Sequence, residues 1–285
     1  MAFIGWRKLK LAVGFVTLVG VALFLWAFVF EPDCLTVEEV TLSLPQWPRE
    51  YGELRLVAVS DIHAGSPHID DEKLERLVAE INRLRPDVVV LLGDFVISGI
   101  VGGEFIGPEV TAGKLRNLNA RSGVFAVLGN HDWVEGGERV RGALEGAGVR
   151  VLENDAASFP HNGRPVWLVG LADLWTRRPD IPGSLAQVAD PDAPVIVLTH
   201  NPDVFPGVPA RAALTLAGHT HGGQVNLPLF GRLVVPSDFG ARYAIGHVVE
   251  AGRHLYVTPG VGTSILPVRF RVPPEITLLK LSAAS

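Results

Sequence analysis

The stretch Val88-Val-Val-Leu-Leu-Gly-Asp94 joins five consecutive apolar residues to a glycine and a carboxylate. Such a run predicts a strand buried on both faces. Gly93 frees the backbone at its end, and Asp94 then stands at the mouth of an open sheet, where α/β proteins keep their ligands. One Gly-Asp pair is also an ordinary turn signal. Its company decides otherwise. Four other strand-like runs end in metal-ligand residue types: Asp61-Ile-His63, Asn130-His131, His200 and His219-Thr-His221.

Working outward, Leu54 to Ser60 reads as a strand, and Asp70 caps a helix expected over Asp71 to Arg85, with Leu74, Leu77, Val78, Ile81 and Leu84 along one face. Pro86 stops it before the Val88 strand. This is a βαβ unit, so its strands are expected to run parallel and to bring Asp61, His63 and Asp94 to one rim. Ile97 to Thr111 is Gly-rich and reads as a loop above that rim, and Lys114 to Asn119 as the end of a short helix. Further strands are expected at Gly123–Leu128, Val149–Leu152, Val166–Leu171, Val195–Thr199 and Ala213–Ala217, with a helix over Glu138–Ala147. Shorter strands are expected at Leu233–Val235, Leu255–Thr258 and Ile276–Leu281.

The chain has 285 residues and a net charge of −5, enough for one large domain and without the basic surface of a nucleic-acid-polymer binder. Cys34 is the one cysteine, so a thiolate zinc cage is excluded and any metal must use nitrogen and oxygen ligands. Leu11 to Phe30 carries no charge over twenty residues, about the 30 Å of a bilayer core. Arg7, Lys8 and Lys10 precede it, and Glu31 and Asp33 follow, which predicts a cytoplasmic tail (1–10), a transmembrane signal anchor (11–30) and an extracytoplasmic remainder. The run is longer than a usual signal-peptide core, and no small-x-small cleavage site follows. Residues 31–53 read as a linker and lead-in strand, with Val37 to Leu44 partly alternating, and 54–285 as the catalytic domain.

Five of the nine histidines lie at these strand ends. Residues i and i+2 of a strand share a face, so Asp61 and His63 can aim at one ion, and His219 and His221 likewise if the chain stays extended there. Two divalent ions about 3.5–4 Å apart clamp a phosphoryl group for in-line attack. They repel strongly, so a shared carboxylate, Asp94, and a bridging hydroxide are needed between them. Mixed nitrogen and oxygen donors suit Mn, Fe or Zn better than Ca or Mg.

Asp61-x-His63, Gly93-Asp94, Gly129-Asn-His-Asp132, His200 and Gly218-His-x-His221 resemble, in order and spacing, the five-block signature of calcineurin-like metallophosphoesterases. Gly222-Gly-Gln224, Gly260-Val-Gly-Thr-Ser264 and Pro267-Val-Arg-Phe270 resemble its membrane-anchored bacterial phosphodiesterase branch. The resemblance implies an α/β fold of two packed mixed β-sheets flanked by helices, a four-layer sandwich. It implies Asp61, His63 and His221 on one metal, Asn130, His200 and His219 on the other, Asp94 between them, and His131 facing the leaving group as the catalytic residue. Many relatives carry a second acidic residue four positions after the Gly-Asp; Ser98 stands there in this chain.

The implied activity is hydrolysis of a lipid, lipid-linked or nucleotide phosphodiester or pyrophosphate by metal-hydroxide attack on phosphorus. An anchored domain on a short linker favours a lipid or lipid-linked substrate. Related bacterial enzymes cleave UDP-2,3-diacylglucosamine, a cytoplasmic substrate, whereas the charge bias places this domain on the other side. Arg242 and Tyr243 are candidates for contacting a phosphate or head group, or are surface-loop residues, and Arg269 carries the same two readings. A phosphoprotein or other monoester phosphatase and a non-catalytic membrane-tethered metal binder are the rival classes.

Overall fold

A computed structural model describes residues 2–284. Met1 and Ser285, the outer ends of the expected tail and domain, lie outside the described residues. The apolar segment forms one helix, α1 (Ala2–Leu25), which continues through a π turn at Trp26–Phe30 and a 3₁₀ turn at Glu31–Asp33. The stretch Trp6–Asp33 is long and apolar enough to cross a membrane, and little of it packs on the rest of the chain. Its exit end, however, is tied down. The Arg269 N–H donates to the Ala27 carbonyl at 2.9 Å, and His68 Nε2 lies 3.0 Å from the Phe28 carbonyl. The buried Glu31 carboxylate accepts from the Val272 N–H at 2.7 Å and from the Trp26 indole at 2.6 Å.

Two six-stranded mixed sheets follow. The first holds β1 (Thr36–Leu44), β2 (Leu54–Val59), β3 (Val88–Leu92), β4 (Val124–Val127), β5 (Arg150–Val151) and β12 (Glu275–Ala283), in the order β1-β12-β2-β3-β4-β5. The second holds β6 (Asp155–His161), β7 (Arg164–Gly170), β8 (Val195–Leu198), β9 (Leu214–Ala217), β10 (Gly246–Glu250) and β11 (Arg253–Val257), in the order β10-β11-β9-β8-β7-β6. β2 to β5 run parallel, as do β7, β8, β9 and β11. The lead-in strand β1 is a full member of its sheet. It pairs in parallel with β12 along its whole length, from Thr36↔Glu275 to Leu44↔Ala283.

The core explains the apolar run at Val88. Val88, Val90 and Leu92 point between the sheets, where they meet Leu168, Ile196, Leu198 and Leu216. Val89 and Leu91 point outward, under Leu74, Leu77 and Ile81 of α2 (Asp71–Arg83) and Val140 and Leu144 of α5 (Gly137–Gly146). Each such side chain contributes about 1.5–3 kcal/mol on burial. Helices α3 (Pro108–Leu115) and α4 (Asn130–Val134) complete that layer, and α6 (Ile181–Leu185) lies on the second sheet. The Asp70 carboxylate accepts from the Lys73 N–H at 2.8 Å, the N-cap of α2 read from the sequence.

Candidate metal centre

The parallel strands deliver their C-terminal ends to one rim, and the ligand-type residues converge there. Asp61, His63 and His221 form one buried cluster, and Asp94, His200 and His219 a second, with ligand atoms inside each within 4.8 Å of one another. Asp94 stands between them. Its Oδ2 lies 3.2 Å from His200 Nε2 and 3.6 Å from His63 Nε2. Asn130 lines the same cavity from the first turn of α4, with its Oδ1 buried and without a hydrogen-bond partner.

The donor chemistry asks for cations. His63 Nε2 faces His221 Nε2 at 3.1 Å, and His200 Nε2 faces His219 Nδ1 at 3.1 Å. Two ring nitrogens at that distance need a proton or a metal cation between them. Asp61 Oδ1, Asn130 Oδ1 and His219 Nε2 are buried and unpartnered, a cost of about 1–3 kcal/mol each unless satisfied. His200 Nδ1 lies 2.7 Å from the Leu92 carbonyl, which orients the ring and leaves Nε2 to the centre. These residues fit a dinuclear divalent centre.

The local backbone differs from the extended chain expected at these positions. Asp61, His63, Asp94, His219 and His221 all have left-handed φ, between +48° and +70°. The i and i+2 rule therefore fails for His219 and His221, and the turn at Thr220 sends the two rings to different clusters. Left-handed non-glycine residues are costly and are held by their surroundings. The Asp132 carboxylate is one such support. It accepts from the N–H groups of Asp94 (2.8 Å), Phe95 (2.8 Å) and Gly129 (2.9 Å), locking two ligand loops together.

The profile of the calcineurin-like phosphoesterases matches residues 54–223. The chain belongs to that family. The metallophosphoesterase YkuE of Bacillus subtilis is 30% identical over 91% of this chain and 90% of its own length. The phosphodiesterase YaeI of Escherichia coli is 34% identical over 69% of this chain and 71% of its own. The UDP-2,3-diacylglucosamine pyrophosphatase LpxG of Chlamydia trachomatis is 27% identical over 90% and 92%. The protein is a metal-dependent phosphoesterase with the two-sheet fold of its family.

A cavity of about 400 Å³ opens over the phosphoesterase centre. Asp94, Asn130, His131, His219 and His221 form its polar floor, and Trp175, Val234, Pro236 and Ile265 its apolar walls. His131 is half-buried at that floor. Its N–H donates to Asp94 Oδ1 at 2.9 Å, and its ring stands edge-on to that of His63 with centroids 5.0 Å apart.

Arg242 and Tyr243 are not brought to the cavity. Arg242 Nε donates to Glu250 Oε1 at 2.5 Å and Tyr243 Oη to Glu250 Oε2 at 2.9 Å, with Tyr243 fully buried against Phe205. A carboxylate on β10 accepts from both; Tyr243 is withdrawn into the core, and Arg242 lies exposed at the surface outside the cavity lining. Arg269 is also buried. Its guanidinium donates to the carbonyls of Pro259, Gly260, Gly262 and Val272 and so staples the loop beneath Asp61. Sequence reasoning passed over Trp175, whose ring sits edge-on to His219 with centroids 4.2 Å apart. It lies just past β7, whose expected end was Leu171 and whose observed end is Gly170, and that position was the available signal. Asp173 accepts from the Trp175 and Thr176 N–H groups and fixes that wall.

Gly129 passes so close to Asp94 that a Cβ there would overlap the carboxylate and lie 2.8 Å from the Asp94 nitrogen. Gly129→Ala is expected to cost about 1–3 kcal/mol of stability by overpacking. It should also lower kcat/KM by about 100-fold through displacement of the bridging position. Thermal unfolding and steady-state kinetics check this, and wild-type turnover in the variant would refute the close approach.

The buried charges set a pH dependence for the metal-free protein. Burial lowers His219 and His221 to about 3. Both are therefore neutral, as ligands must be. Burial also opposes the charge on His200, but Asp94 outweighs it and raises that ring to about 10. Burial and then the Asp94 charge push Asp132 up to about 7. In unfolded chains His219 and His221 protonate near pH 6.5 and in the fold only near 3, so stability is lost as pH falls through that window. Asp132 takes up one proton on folding between 3.8 and about 7, which offsets one of the two imidazoles. His200 contributes fully below 6.5, and its contribution is lost as pH rises through about 10. The chelated protein should therefore show its highest Tm near neutral pH. A Tm that climbs steadily from pH 7 to pH 4 would contradict neutral His219 and His221.

Proposed function

We propose that this phosphoesterase is a membrane-anchored phosphodiesterase acting on an amphiphilic phosphodiester or pyrophosphate, lipid or lipid-linked. The observation that carries the reading is the cavity: a polar floor of metal-ligand side chains beneath apolar walls. Asp61, His63 and His221 would hold one divalent ion and Asn130, His200 and His219 the other, with Asp94 shared. When bound, the ions supply Lewis-acid stabilisation of the phosphoryl oxygens and an acidified water. Imidazole, amide and carboxylate donors suit Mn, Fe or Zn.

The chain's own residues orient and transfer. His131, fixed through its backbone to Asp94, presents its ring to the cavity and donates a proton to the departing oxygen or a hydrogen bond to the phosphoryl group. Trp175 and Ile265 flank the apolar part of the substrate and keep bulk water from it. The activities of YaeI, a phosphodiesterase, and LpxG, a pyrophosphatase acting on a diacylated sugar nucleotide, support this class. Arg7, Lys8 and Lys10, in the first turns of α1 ahead of its uncharged run, favour a cytoplasmic amino terminus and an extracytoplasmic domain.

Kinetics with bis-p-nitrophenyl phosphate and p-nitrophenyl phosphate test the substrate class. The metal-loaded protein is expected to prefer the diester by about tenfold or more in kcat/KM. Preference for the monoester would overturn the reading in favour of a phosphatase.

A further inference from the structure

Two loops beside the cavity mouth push large apolar side chains into solvent. A tight hairpin, closed by paired hydrogen bonds of 2.9 and 2.8 Å between Leu227 and Gly231, carries Leu229 and Phe230 at its tip. The second tip carries Ile265 and Leu266. Phe230 is 73% and Ile265 76% exposed, and Leu229 is fully so. Leu233 and Val234 continue the patch. Exposed apolar groups in this number need an occupant.

The backbone adds an independent sign. Leu229 has φ +69° and Ile265 φ +64°. A left-handed β-branched residue is a strong outlier, and here no packing rewards it. Both tips are held outward by hydrogen bonding elsewhere. The Gln224 side chain accepts from the Ser264 N–H at 2.7 Å and donates to the Ser264 carbonyl at 3.1 Å, joining the two loops. The Asn226 N–H donates to the Phe270 carbonyl at 2.9 Å.

Their place in the fold says what covers them. Arg269, next to Phe270, donates its N–H to the Ala27 carbonyl, so the same loop grips the exit turn of α1. Trp26 and Phe30 of that turn are themselves exposed. Arg232 and the exposed Arg271 flank the patch, and among the described residues neither forms an ion pair with a carboxylate. Arg232 donates its Nε–H to the Gly222 carbonyl at 2.7 Å and keeps its charge without a carboxylate, and Arg271 is open to solvent, so apolar tips bordered by uncompensated positive charge match an anionic phospholipid surface.

We propose that the Leu229–Phe230 and Ile265–Leu266 tips are a second membrane contact, inserted in the leaflet from which α1 emerges. They seat the cavity mouth on the lipid surface, so that a lipid's phosphate reaches the His131 floor while its chains stay in the leaflet. The inference rests on α1 being a membrane anchor.

Site-specific fluorescence separates the two. The full chain with Cys34→Ser receives one cysteine, by Phe230→Cys, Ile265→Cys, Leu18→Cys or Asp192→Cys, and carries an environment-sensitive fluorophore there. It is reconstituted in vesicles of phosphatidylethanolamine and phosphatidylglycerol, with or without nitroxide-labelled acyl chains. Probes at 230 and 265 are expected to lose about half their emission or more to the nitroxide, as for insertion about 5–10 Å deep. The probe at 192, in the exposed loop before β8 at the opposite end of the strands, should lose none. Quenching at 18 without quenching at 230 and 265 overturns the second contact and leaves the anchor standing. A lack of quenching at 18 as well removes the anchor too. A probe at 230 that is blue-shifted but unquenched would put protein over the tips and also overturn the proposal.

Discussion

Asp94→Ala is expected to abolish binding of both metal ions, not one. The carboxylate oxygen Oδ2 is 3.6 Å from His63 in the first cluster and 3.2 Å from His200 in the second, within reach of an ion held by either. Removing it deletes a ligand from each and the negative charge that offsets repulsion between two dications. His200 loses its charged neighbour at 3.2 Å and His63 its neighbour at 3.6 Å, so both clusters are left without the carboxylate between them. The expected readouts are no metal by elemental analysis, no metal-dependent rise in Tm, and loss of turnover of about 10⁴-fold or more. Asp94→Asn is the sharper control. It can still accept from the His131 N–H but carries no charge, and it should hold one ion at most. An alanine variant that keeps two ions per chain would remove Asp94 from the bridging position.

The parts of this molecule that were legible in its sequence are those set by local pattern. The Val88 strand is buried on both faces because every residue in it is apolar, and α2 starts at Asp70 because that carboxylate caps it. Three failures have physical causes. The helix α3 begins at Pro108 inside the expected loop, because the glycines of Ile97–Thr111 masked a start signal, Pro at the first helical position. The strand β10 was missed because its five residues include His247 and Glu250 on a half-exposed edge, and with it went the carboxylate that claims Arg242 and Tyr243. Leu233–Val235 was expected as a strand for its apolar character, yet Leu233 and Val234 are exposed loop residues. Apolarity there does not report the core. At the centre, residue types and spacing pointed to residues that the fold gathers at one rim, but the left-handed turns at Asp61, His63, His219 and His221 leave no mark in composition. The division of His219 and His221 between the clusters came from family likeness and not from strand geometry.

His131→Ala is expected to keep both ions and lose turnover. The side chain of His131 belongs to neither ligand cluster, and its contribution to Asp94 is made by the backbone N–H, which alanine retains. Metal content and the metal-dependent rise in Tm should therefore match the parent. The ring, by contrast, stands at the cavity floor beside His63, where it can reach a departing oxygen. Loss of a general acid costs typically about 10²–10⁴-fold in rate. The size of the loss should depend on the leaving group. A p-nitrophenolate departs with little help, so kcat should fall less for bis-p-nitrophenyl phosphate than for an alkyl diester if the ring donates a proton. Equal loss on both would assign it to hydrogen bonding with the phosphoryl oxygens. Unchanged kcat on both substrates, with metals intact, would take His131 out of the reaction altogether.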